Sequence, residues 1–411
     1  MESTSKRNPI LSIFLTVFID MLGIGFVIPV FAPLIVQNDL GIVPAHYSQA
    51  ERQIIYGFLA ATFSLSQFLG APILGALADR YGRKRILNIS LMGTLIGYVL
   101  FALAIQSKVL LLVFIARAIP GFMGGNISIA LAALADLSDD KSKAKNFGLV
   151  GMAFGLGFII GPFIGGILGN IDYALPLWFT AGLTVLNIIL VYIQFPETFK
   201  PVHLRPITVF AGFNNILKAF SYKDMRVILL VLFLQAFGFT FFTQFFPVFM
   251  LHKFEVGKAD IGKIFGFVGL WIAFTQGFLT RKMAKRYTPT QILPYSILGM
   301  SIFLLCNLVP DSLLGLYAVQ PFIAISQGLT QPNITSIISS LGTRENQGEI
   351  LGIQASVQSL AFSIPPIIAG FISGFDYRYP ACAGSLCLLF AFLIYVFFFK
   401  PHWHEVTESV T

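Results

Sequence analysis

Two charges interrupt sequence that is otherwise apolar: Asp20 in TVFIDMLGIGFVIPV and Arg117 in LLVFIARAIPGFMGG. A carboxyl that moves between dry and wet surroundings can take up and release a proton, and a guanidinium can neutralise it or hold an anion. A third cluster, GALADRYGRKR at residues 75–85, compresses one acid and four bases between two apolar runs. Other chemistry is sparse. His46, His203, His252, His402 and His404 are scattered in loops and tail, and no nucleophile stands beside a base. Cys306, Cys382 and Cys387 lie inside apolar runs without Cys or His at ligand spacing. Neither an enzyme nor a metal site is expected.

The elements that must carry these charges follow from composition. Of 411 residues, 56% are hydrophobic and 11% charged, against about 25% charged in soluble domains. The chain therefore reads as a membrane protein. Lys6 and Arg7 precede an apolar segment from Ile10 to Val36, too long for a signal-peptide core of about 7–15 residues, so that segment is the first span. At about 20 apolar residues per crossing, spans fall near 10–36, 54–78, 86–106, 109–135, 146–170 and 174–195, then near 224–250, 260–281, 289–309, 311–337, 348–373 and 377–400. The expected organisation is all-α: a six-helix bundle over 1–195, a linker over 196–223, a second six-helix bundle over 224–400 and a tail over 401–411.

The net charge of +8 belongs to this topology rather than to a nucleic-acid partner. With the N-terminus inside, 20 of the 27 Lys and Arg fall in the tails and loops of one side, which places both termini in the cytosol. Within the linker, Ile207, Phe210, Phe213, Leu217 and Phe220 recur at helical spacing, as in an amphipathic helix lying on the cytosolic membrane surface and tethering the halves. The halves also resemble each other. At an offset of 202, GALADRYGRK meets GFLTRKMAKR, and at 204, GPFIGG meets PPIIAG. Paired halves of this kind place a substrate site near the midplane between them.

Asp20 lies about 15 Å into the first span and Arg117 about 12 Å into the fourth, so both sit near mid-depth of a hydrocarbon core about 30 Å thick. Charges at that depth pair with each other or line a wet cavity and mark transport pathways. The second half has no mid-span acid. Its inner polar positions are amides, Gln235, Gln244, Gln276, Gln327, Gln331, Asn333, Gln354 and Gln358; with Asn126 they are candidates for a polar substrate cavity or for bonds between helices. In AFGLGFIIGPFIGGILG, Gly157, Gly161 and Gly165 recur every four residues beside Pro162 and Gly166, a flat stripe for close helix packing with a kink in it.

These features together resemble a major facilitator superfamily transporter, most closely the twelve-helix drug:proton antiporter branch that includes the tetracycline exporters. GALADRYGRKR matches the signature between helices 2 and 3, Arg117 and Gly121 match the helix 4 motif, and GFIIGPFIGG matches the helix 5 antiporter motif. The segments DMLGIGFVIPV (20–30) and PET (196–198) also resemble that branch. The resemblance implies that Asp20 is the proton-linked carboxylate and that Arg117 couples protonation to substrate. It implies a cytosolic gate made of Gly75, Asp79, Arg80, Gly82, Arg83, Lys84 and Asp136, with conformational change served by Gly157, Gly161, Pro162, Gly165 and Gly166. The eighth span has no His and the ninth no Asp, both of which tetracycline exporters use, and this argues against tetracycline itself. In the second copy of the gate motif Arg281 replaces the acid, which confines the charge switch to the first half.

The sequence thus reads as a monomeric proton-coupled antiporter of a bacterial inner membrane, exporting small organic molecules and needing no cofactor beyond the proton gradient. A metabolite or siderophore transporter of the same fold, exporting or importing, and a non-transporting sensor or scaffold are the alternatives. Asp79 and Arg83, four apart, are expected to share a helical face, with Asp79 meeting the start of the eleventh span near Gly348 as a latch between the halves.

Overall fold

The computed structural model of the chain describes residues 9–138, 143–198, 211–221, 225–341 and 347–399. Among them every regular element is a helix, and twelve stretches are long and apolar enough to cross a membrane. The first six spans are α1 (Pro9–Ala32, continued as a π-helical turn to Gln37), α2 (Gln49–Tyr81), α3 (Arg83–Ser107), the pair α4 (Leu110–Phe122) and α5 (Asn126–Leu137), α6 (Lys143–Ile171) and α7 (Leu175–Gln194). A short helix α8 (Ala211–Ser221) precedes α9 (Arg226–Phe254). The eighth span is α10 (Lys258–Phe274), which continues through a π turn into α11 (Thr280–Met283). Then follow α12 (Pro289–Cys306), α13 (Leu313–Ser340), the pair α14 (Gln347–Ser363) and α15 (Pro365–Ser373), and α16 (Tyr379–Phe398).

Local chemistry sets several boundaries that the apolar runs misplace. The second span starts at Gln49 rather than near 54, because the Ser48 hydroxyl accepts from the Glu51 N–H while the Glu51 carboxylate accepts from the Ser48 N–H, a reciprocal cap. The fourth span is not one helix. It breaks at Met123–Gly125, and the eleventh breaks at Ile364, ahead of Pro365 and Pro366. The seventh span runs on to Phe254, so His252 sits inside a helix rather than in a loop.

Three apolar cores show how the spans are arranged. One draws on both sets of six, joining Val30, Phe31 and Tyr56 to Phe245, Phe249 and Ile261. The other two are each confined to one set: Ile13, Leu87, Leu134 and Val150 in the first, Ile228, Ile297, Ile338 and Ile350 in the second. The shared core lies toward the end of the molecule where α1 finishes and α2 begins. The separate cores lie toward the opposite end, which carries Arg80, Arg83, Lys84 and Arg85 and is called here the basic end.

The contacts between the two sets follow the same division. Far from the basic end, a β-carbon built on Gly370 of α15 would stand 3.1 Å from the Cα of Ile54 of α2, and one on Gly374 3.0 Å from the Ala50 Cβ. On the other side of the molecule, one on Gly166 of α6 would stand 3.0 Å from the Cα of Gly262 of α10. Tyr56 donates to the Gln244 carbonyl at 2.6 Å, and the Gln53 amide nitrogen is 2.7 Å from His252 Nε2. Toward the basic end the packing between the sets is looser. The Gly155 position is 3.9 Å from Ala273, and a β-carbon on Gly75, Gly151, Gly277 or Gly352 would meet nothing within 4 Å. The two sets are therefore packed backbone to backbone at one end and more loosely at the other.

The linker helix occupies part of that looser region. Phe213 of α8 packs edge-on against Phe68 of α2 with ring centroids 5.0 Å apart, and the Asn215 amide donates to the Ser356 hydroxyl of α14 at 3.0 Å. The helix bridges the two sets instead of lying on a membrane surface alone. The expected pattern residues Ile207 and Phe210 lie outside the described residues, as do 199–206, 222–224 and the tail from 400.

Candidate functional site

The break in the fourth span creates the site. Where α4 stops, the Met123 carbonyl loses its helical donor, and the Ser90 hydroxyl of α3 lies against both that carbonyl and the Asn126 side-chain oxygen. Hydroxyls commonly satisfy backbone freed at such breaks within membranes. The Asn126 amide is also 3.5 Å from the Thr94 hydroxyl and hydrogen-bonds to the Asp20 carboxyl. Asp20 is thus tied, through Asn126, to the point where the fourth span can flex. Asn126, expected in a substrate cavity, is 4% exposed and belongs to this bracket.

Arg117 lies one turn and a half before the break and does not pair with Asp20; among the described residues no ion pair to it occurs. Its guanidinium carbon stands 4.9 Å from the Phe31 ring centre and 4.8 Å from that of Phe63, and its buried Nε has no hydrogen-bond acceptor. Tyr98 lies within electrostatic range of both Asp20 and Arg117. Its hydroxyl oxygen is 2.7 Å from where a β-carbon on Gly23 would be, so it packs on α1. The sequence signal for Tyr98 was a lone hydroxyl in LIGYVLFALA, which apolar surroundings disguised.

Arg117 faces a cavity of ≈ 680 Å³ between the two sets of spans. Its wall is aromatic, with Phe31, Phe63, Tyr56 and Tyr98 from the first set and Phe239, Phe242 and Phe265 from the second. Gln235, Gln244, Gln327, Gln331 and Gln358 line it, joined by Gln67 and Gln276. Asn333 and Gln354 do not. Asn333 donates to the Leu329 carbonyl of its own helix at 2.6 Å, and Gln354 donates to Thr335 at 2.9 Å. Gln235 donates to Gln327 at 3.0 Å across the cavity floor.

The basic loop is a corner rather than a helix face. Gly82, with φ +102°, ends α2 and starts α3, so Asp79 and Arg83 meet across the bend at 3.4 Å. Arg83 also holds Asp136 of α5 at 3.0 Å, and its backbone N–H donates to Glu197 at 2.9 Å. Glu197, in the PET segment, was not among the expected gate residues. A β-carbon on Gly82 would stand 2.6 Å from the Glu197 carboxylate, an end that can swing aside, so it is the φ of +102° that calls for glycine there. Arg80 lies over Tyr81 and Lys84 over Tyr192. The cluster ties α2, α3, α5 and the end of α7 together inside the first set. The expected seat of Asp79, the first turn around Gly348, lies outside the residues whose surroundings are described.

The α6 glycines divide their work. Positions for a β-carbon on Gly161 and Gly165 lie 2.9 Å from the Gly25 Cα and 2.5 Å from the Phe26 Cα of α1, and one on Gly157 lies 3.1 Å from the Phe18 carbonyl. Gly166 faces α10 of the other set. Pro162 packs on Gly25, and Gly262 faces the Pro162 carbonyl. Gly370 occupies the corresponding seat at the α2–α15 contact, as the 204-residue offset implies.

A family model described as Major Facilitator Superfamily matches residues 13–366, and again 228–409. The class C tetracycline resistance protein of Escherichia coli is 30% identical over 88% of this chain and 89% of its own length. Multidrug resistance protein 1 of Bacillus subtilis (strain 168) is 30% identical over 93% and 94%. The crystal structure of the human organic anion transporter MFSD10 superposes with a TM-score of 0.73 over 96% of this chain and 100% of that one, at 21% identity, a likeness of fold alone.

Proposed function

This chain belongs to the major facilitator superfamily, and from that premise we propose that it is a proton-coupled antiporter exporting small organic molecules by alternating access. It is a transporter with drug-efflux relatives and not an enzyme. The observation that carries the reading is the asymmetry of the interface around the cavity: backbone-close contacts at Gly166 and Gly370, open space at Gly75, Gly151, Gly277 and Gly352. We place the basic end and both termini in the cytosol, on the excess of Lys and Arg there, and the chain in the inner membrane of a bacterium. The cavity then faces inward, ready to load.

In the proposed cycle a substrate enters from the cytosol while Asp20 gives its proton to that side. The α2–α15 and α6–α10 seals then part as the basic end closes, substrate leaves outward, and Asp20 is reloaded. Asp20 acts on the cavity through Asn126 and the break before α5, and Arg117 senses the substrate from the other side of that break. The protein works as a monomer and draws on the proton gradient without a bound cofactor.

The test is transport in proteoliposomes under an imposed pH gradient. Wild type should accumulate substrate against its gradient, and Asp20→Asn should lose accumulation while retaining exchange of labelled for unlabelled substrate. Unchanged accumulation in Asp20→Asn would remove Asp20 as the proton carrier. Downhill flux indifferent to pH would favour a facilitator for a metabolite or siderophore, and no flux for any compound a sensor or scaffold.

A further inference from the structure

The charge balance of the cavity identifies the kind of molecule it takes. Among the described residues Arg117 is the single charged one in its wall, and no Asp, Glu, Lys or His lines it. Asp20 faces Asn126 instead, and among the described residues no carboxylate pairs with the guanidinium. A guanidinium held between Phe31 and Phe63 keeps its planar donor fork, and its Nε has no acceptor. A buried cation without a counter-ion is costly unless something supplies one. The ring faces offset part of that cost, yet they leave the N–H groups in the guanidinium plane unused.

We infer that the substrate is an aromatic organic anion whose carboxylate docks on Arg117 between Phe31 and Phe63. A carboxylate offers two acceptors in the geometry that guanidinium favours. The aromatic wall receives the apolar body, and the cavity of ≈ 680 Å³ suits one drug-sized molecule. Glutamine amides opposite, Gln331 and Gln358 among them, hydrogen-bond further polar groups without adding charge. An organic cation meets repulsion from Arg117 and finds no acid in the wall to offset it. This deepens the transporter reading and rests on that cavity being the transport site.

Equilibrium binding tests it without any proton gradient, so that it can fail separately from proton coupling. The purified full-length protein in nanodiscs is titrated with fluorescein, an aromatic carboxylate, with rhodamine 123, its cationic counterpart on the same ring system, and with 1-naphthoate and 1-naphthylmethylamine as a smaller pair. Wild type should bind the anion of each pair at least about tenfold more tightly. Arg117→Gln should erase that preference and Arg117→Lys should keep part of it, since a point charge replaces a fork. Gln358→Glu, which adds an acid to the wall and leaves Arg117 in place, should weaken the anions and admit the cations, and so tests charge even where an Arg117 variant misfolds. Equal or tighter cation binding by wild type, no binding of either anion, or anion binding unchanged in both Arg117→Gln and Gln358→Glu would overturn the inference.

Discussion

Gly166 and Gly262 meet across the two sets of spans with no side chain between them, the β-carbon position of one 3.0 Å from the Cα of the other. Such contact requires small residues on both helices and makes the seal a matter of backbone shape. Gly166→Leu should therefore pry α6 from α10 at the sealed end, at about 1–3 kcal/mol for overpacking. The expected result is a lowered thermal midpoint in detergent and loss of transport. Gly151→Ala, where a β-carbon meets nothing within 4 Å, should leave that midpoint unchanged.

The bracket at the break of the fourth span makes a sharper prediction about Ser90. Removing its hydroxyl leaves the Asn126 side-chain oxygen without that donor, while the Met123 carbonyl keeps the Gly125 N–H at 2.8 Å, and an unsatisfied buried group costs about 1–3 kcal/mol. Ser90→Ala should destabilise by that order, while Ser90→Thr keeps the donor. Because Asn126 also orients Asp20, proton-driven accumulation should fall further in Ser90→Ala than uncoupled exchange does.

Arg83 holds two acids that are each about a third exposed, 38% at Asp79 and 32% at Asp136. Pairs so open to water contribute at most about 1 kcal/mol, so Arg83→Ala should shift the thermal midpoint by only a few degrees. Transport should fall more than stability, because the corner of α2, α3 and α5 loses its common tie. Arg83→Lys, which cannot hold both acids with a fork, should fall between the two in transport assays.

The bond from Asn215 to Ser356 provides a lock. With the native cysteines replaced, Asn215→Cys combined with Ser356→Cys should form a disulfide on oxidation that fixes α8 to α14. Transport should stop and return with reductant, as measured by the same flux assay. Unimpaired transport by the oxidised pair would mean that α8 travels with α14 throughout the cycle.

What the sequence disclosed depended on the kind of information each feature carries. Apolar length alone counts spans, so all twelve were legible, and the positions of Asp20 and Arg117 along their spans gave depth. Azimuth was not legible. Two residues at similar depth can face different neighbours, and here Asp20 turns to Asn126 while Arg117 turns to the cavity. Met123–Gly125 was hidden because an apolar run continues across it, although the paired glycines were a sign. Among the amides, Gln331 and Gln358 reach the cavity, whereas Gln354, one turn from Gln358, is captured by Thr335; only the position of a neighbouring helix decides that. The turn at Gly82 likewise converted an expected helical face into a corner closed by Glu197.

The bridge formed by α8 has a consequence for direction of access. A helix is about 10–12 Å across, and α8 touches Phe68 of α2 on one side and Ser356 of α14 on the other. In the proposed cycle it acts as a chock: closing the basic end brings those two levels together only once the helix is withdrawn. In that cycle the connection between the halves sets a threshold for turning the cavity over. Its charge, its length and the lipid it can move into all act on that threshold without altering a single residue that a substrate would touch.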